Sequence, residues 1–177
     1  MSVFASPRRH RTSVGFRSGR SHRGAPLGVE SAVRELELPD AVYKTCPWEP
    51  RELVSTGLRQ WLRCCGAALA DDQVIGMPSR AVDEAWHGFI LCTRRYAEFC
   101  DRAYGRFLHH HPEGADTPNQ ATGDMAGQLG RTVVAWSLVA HPGEVCVLWD
   151  LDTRLGLPEP WGIPLERVAA IEADLRE

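Results

Sequence analysis

The sequence predicts an all-α protein, a small helical bundle, and three observations carry that reading. Apolar residues recur at steps of three and four over several stretches. Capping residues precede these stretches, and Pro or Gly closes them. No period-two alternation of the kind that marks a half-buried strand competes with them.

The elements follow in order. Residues 1–27 are rich in Ser, Arg, Gly and Pro with little to pack, and are expected to form a disordered basic tail before one helical domain over 28–177. Val29, Val33 and Leu36 outline a short helix ending before Pro39. Pro50 suits the first position of a helix over 50–70, where Leu53, Leu58, Trp61, Leu62, Cys65 and Leu69 share a face. After a short connection, Ser79 is a good N-cap, and Asp83 and Glu84 sit where the helix dipole favours anions.

The central helix is expected over 80–107. Its apolar stripe is Val82, Trp86, Phe89, Thr93, Tyr96, Cys100, Ala103 and Phe107. With the 50–70 helix it would form an antiparallel hairpin. Residues 108–123 read as a loop. Asp124 then caps a helix to 141, and short helices around 147–155 and 164–175 complete the bundle.

Charge is unevenly placed along the 177 residues. Six of the 20 Lys and Arg residues fall within 1–29, where no acid occurs, so the rest of the chain sets 14 bases against 23 acids. Such an acidic body disfavours nucleic acid as a partner except through the basic tail. No apolar run reaches the roughly 20 residues of a membrane span, and no apolar segment follows Arg8-Arg9 to make an export signal. A cytoplasmic protein is expected, with its six cysteines as thiols.

Phosphate-loop, dinucleotide, H-E-x-x-H and G-x-S-x-G signatures are all missing. What remains is a set of metal-ligand residue types in two groups. On one unbroken helix, His87 and Cys100 lie about 20 Å and about 220° apart and cannot share an ion. The first group is Asp83 and His87, at i and i+4 on one face, joined by Cys64 or Cys65 and His141 if the neighbouring helices run antiparallel. The second is Cys100 with His109, His110 and His111, where the helix runs out. These ligand types suit zinc or another transition metal. Asp83 has an alternative role in orienting the imidazole.

The stretch VDEAWHGFILCTRRYAEFC…YGRFLHHHP resembles the glycine-rich domain-containing-protein-like family in its small bacterial form. The likeness rests on Asp83, Trp86 and His87, then Tyr96, Phe99 and Cys100, then Gly105, His109 and His110. It implies a helical domain in which His87, Cys100 and the histidines have a role, without implying a particular reaction. The expected function is therefore binding of a metal ion or small ligand, set against a metal-assisted hydrolase and a non-catalytic interaction module.

Overall fold

The computed structural model describes residues 2–5, 27–111 and 124–176. Within them the chain forms β1 (Ser2–Ala5), α1 (Leu27–Arg34), α2 (Val42–Thr45), α3 (Arg51–Ala70), α4 (Arg80–Leu91), α5 (Thr93–Tyr104), β2 (Leu108–His111), α6 (Met125–Val139), α7 (Leu151–Arg154) and α8 (Leu165–Asp174). The protein is an all-α bundle with one two-stranded ribbon among the described residues. Most of the expected tail lies outside those residues, but Ser2–Ala5 within it is a strand. No helix among the described residues is long and apolar enough to cross a membrane.

α3 is the axis, buried along most of its length, with α1, α4 and α6 packed around it. A single apolar cluster runs through the bundle from Val29 to Val168. Asp124 caps α6 by accepting from the Gly127 N–H at 2.9 Å, as its position implied.

The pairing of α3 with α4 differs from the expected hairpin. Gly57 faces Val82, and the Trp61 ring meets Trp86 at 5.8 Å, so contacts advance along both helices in the same direction. The connection over 71–79 permits this. Its extended reach of about 30 Å matches the length of α3, also about 30 Å. It is tied to α6, where the Gly76 N–H donates to the Gln128 carbonyl and the Thr132 hydroxyl donates to the Gly76 carbonyl.

The expected 80–107 helix is two helices. The chain bends at Cys92 (φ −79°, ψ 54°), so α5 folds back on α4. Phe89 then meets both Tyr96 and Phe99, with ring centroids 5.2 and 5.6 Å apart, and the Trp86 indole donates to the Tyr96 hydroxyl at 3.2 Å. In a straight helix, ten residues would hold Trp86 and Tyr96 about 15 Å apart. The bend forgoes a few backbone hydrogen bonds worth about 1 kcal/mol each. It buries Phe89, Tyr96 and Phe99, each worth about 1.5–3 kcal/mol. Burial wins.

α5 ends at Gly105, whose φ of 63° is the left-handed conformation glycine adopts without strain. The reversal sends β2 back past α4, with Leu108 fully buried and its carbonyl accepting from the Tyr96 hydroxyl at 2.8 Å. β2 thus occupies the start of the stretch expected to be loop, while residues 112–123 lie outside the described residues.

Candidate metal centre

The start of α4 is held unusually firmly. Ser79 accepts from the Val82 N–H at 3.2 Å and donates to Asp152 at 2.6 Å. The fully buried Asp152 carboxylate also accepts from the N–H groups of Arg80, Ala81 and Trp161, at 2.9, 3.2 and 2.9 Å. All three first-turn amides therefore have acceptors, and an anion sits on the positive end of the helix. That fixed turn carries Asp83.

The Asp83 side chain is only 5% exposed. One turn on, His87 places Nδ1 2.8 Å from the Asp83 carbonyl and 3.2 Å from Oδ2. A carbonyl only accepts, so Nδ1 carries the proton in this arrangement and Nε2 carries the lone pair. His110, from β2, places Nε2 3.1 Å from Asp83 Oδ1 with its side chain 7% exposed. The two imidazoles lie 4.2 Å apart, and Trp86 backs His110 edge-on at 4.7 Å. One ligand atom from each of Asp83, His87 and His110 falls within 4.8 Å of the others. His87 is 42% exposed and forms the solvent side of the cluster.

The bend at Cys92 therefore joins what an unbroken helix would separate. His110 crosses from the second expected group to the first. The other candidates do not follow it. Cys100 is buried beside Tyr96 and the Leu108 backbone, and burial raises its thiol pKa against the pull of the Leu108 N–H and the Tyr96 hydroxyl. Burial pushes Cys64 up to about 12 and Cys65 well above the usual thiol range, so both behave as neutral core residues. His109 is exposed, with its ring 4.9 Å from Phe107.

His141 is drawn to a different cluster. Its Nε2 lies 3.0 Å from Glu30, and its N–H donates to Glu144 at 3.0 Å. Both acids surround Arg63, whose guanidinium donates to both Glu144 oxygens at 2.8 and 2.9 Å and to the Val139 carbonyl. Glu30 lies 3.3 Å from its Nε, and the Trp136 ring lies 5.4 Å from the guanidinium carbon. Sequence reasoning passed over both Arg63 and Asp152. No short-range spacing signals either one, because their hydrogen-bond partners are 71 to 81 residues away, apart from Trp161 beside Asp152.

An all-α bundle with a convergent Asp-His-His cluster is the class that fold and site define. The chain belongs to the UCP032817-like family, whose model matches residues 36–161. That match corrects the resemblance to the glycine-rich domain-containing-protein-like family, which rested on a far shorter stretch. No curated protein and no solved structure matches the chain. Asp83, His87, His110 and Asp152 all fall within the matched residues.

Proposed function

We propose that the protein binds a divalent transition-metal ion, zinc or a close relative, through Asp83, His87 and His110. The observation that supports this is the Asp83 carboxylate. It is nearly buried, and among the described residues its ion-pair-distance partners are two imidazoles, with no Arg or Lys at that distance. A buried carboxylate needs a compensating positive charge. A metal ion supplies that charge while using the imidazole lone pairs.

The spacing is compatible with this use. Bonds of 2.0–2.1 Å put neighbouring ligand atoms about 2.9–3.4 Å apart in octahedral or tetrahedral geometry. The Asp83 Oδ1–His110 Nε2 separation, 3.1 Å, falls in that interval, which hydrogen bonds also occupy. Two histidines and one carboxylate suit zinc and iron(II) alike.

Three protein ligands leave at least one coordination position for water or substrate, and half-exposed His87 puts that position toward solvent. This is the arrangement from which metal-assisted hydrolysis proceeds, and it makes a hydrolase the second reading. A cytoplasmic setting fits the six cysteines, none of which is in a disulfide.

Zinc titration of the metal-free protein by calorimetry tests the proposal. One ion should bind per chain, with affinity lost in Asp83→Asn and His110→Ala and kept in Cys100→Ala and His141→Ala. Equal binding by all four variants would remove the assignment.

A further inference from the structure

We propose that the β1 strand, Ser2–Ala5, is the brace that holds His110 in the metal site, so that metal affinity depends on this distant segment. The inference rests on the metal-binding reading above and deepens it.

Two of the three ligands need no help. Asp83 and His87 are one turn apart on α4, whose first turn is locked by Ser79 and Asp152. His110 is different, because it arrives on a four-residue strand, and an extended segment of that length does not hold its shape alone in water. Its backbone is anchored at Leu108, through burial and the bond from Tyr96. That anchor stops two residues short of the ligand.

From there the register is set by the antiparallel ladder with β1, which pairs Ala5 with Leu108, Phe4 with His109, Val3 with His110 and Ser2 with His111. β1 in turn lies against α3, the axis of the bundle. The ladder therefore ties the ligand strand to the rigid core. A one-residue slip would turn His110 to the opposite face of the ribbon and bring His109 to the site. The ligand set lies inside the family match over residues 36–161, and its brace lies outside it. Displacement or removal of residues 2–5 would then lower metal affinity while leaving the helices standing.

Backbone parity supplies the test. In an antiparallel ladder, successive residues point their N–H groups alternately toward the partner strand and away from it. Of Val3 and Phe4, one therefore donates toward β2 and the other does not. Proline removes the N–H, so Val3→Pro and Phe4→Pro differ in whether a ladder bond is lost.

Zinc titration of the full chain would be run on the parent, both proline variants and His110→Ala, with helical circular dichroism and amide exchange over 108–111 measured alongside. We expect one proline variant to bind zinc about tenfold or more weakly, the loss typical when support for a ligand is removed. The other should bind as the parent does. The weakened variant should keep its helical signal and its α4 protection while exchange over 108–111 speeds up. Parent-like affinity in both variants, with zinc bound normally by the parent, overturns the brace and leaves the metal site intact. A parent that binds no zinc overturns the metal-binding reading itself, and the brace falls with it. Loss of helical signal together with zinc binding in either variant makes β1 a general folding element and also overturns the proposal.

Discussion

Arg63 and Asp83 are both buried charges in one bundle, yet their surroundings are opposite. Arg63 is enclosed by protein anions and acceptors: two bonds to Glu144, one to the Val139 carbonyl, Glu30 at 3.3 Å and the face of Trp136. Those partners come from α1, α6 and the segment after it, so the guanidinium ties three parts of the chain to α3. Asp83 has no such enclosure. Its carboxylate meets two imidazoles, side chains that can hydrogen-bond to it or ligate a metal. The first cluster is closed by the protein itself, and the second is the one proposed to take a cation. A buried charge is thus informative according to what neutralises it.

The largest effect is expected at Arg63. Arg63→Ala leaves Glu144 and the Val139 carbonyl without their partner, and should destabilise the protein by about 3 kcal/mol in urea denaturation. Asp152→Ala should follow at about 2 kcal/mol, because Ser79 and three N–H groups lose their acceptor. Asp83→Asn should change the stability of the metal-free protein by less than about 1 kcal/mol, since the amide keeps the volume and one acceptor oxygen. A loss there as large as at Arg63 would make the two clusters alike.

The smallest expected effect is one of pH. Burial raises the Glu144 pKa, but the His141 N–H, the Arg63 bonds and charge, and Gln60 outweigh it and leave the carboxyl below its ordinary value. A lowered folded-state pKa contributes stability above the unfolded value, and that stability is lost as pH falls through the folded one. Acid denaturation of Glu144→Gln should therefore be less steep below about pH 4.5 than that of the parent.

Much of the helical architecture was legible because a bundle writes its packing as a 3.6-residue period. α3 and α6 lie within a residue or two of their expected spans, and Ser79 and Asp124 cap the helices they precede. The break at Cys92 was not legible. No Pro or Gly marks it, and the cause is contact between aromatics seven to ten residues apart. The site inherited that error. Asp83 and His87 were recognisable as an i, i+4 pair, but an unbroken helix placed His110 beyond reach. His141 is held elsewhere because Glu30 and Glu144 bind it at the Arg63 cluster. The choice of His110 over His109 depends on strand alternation, since Leu108 turns into the core and carries His110 to the same side.

Zinc-dependent thermal unfolding of the parent beside Asp83→Asn tests the central claim most directly. A ligand that binds the folded state stabilises it by about 2.7 kcal/mol at a hundredfold excess over its dissociation constant. The parent midpoint should rise with zinc concentration, while the Asp83→Asn midpoint stays where it is without metal. An unchanged parent midpoint, or an equal rise in the two proteins, would contradict the claim that Asp83 is buried to hold a cation.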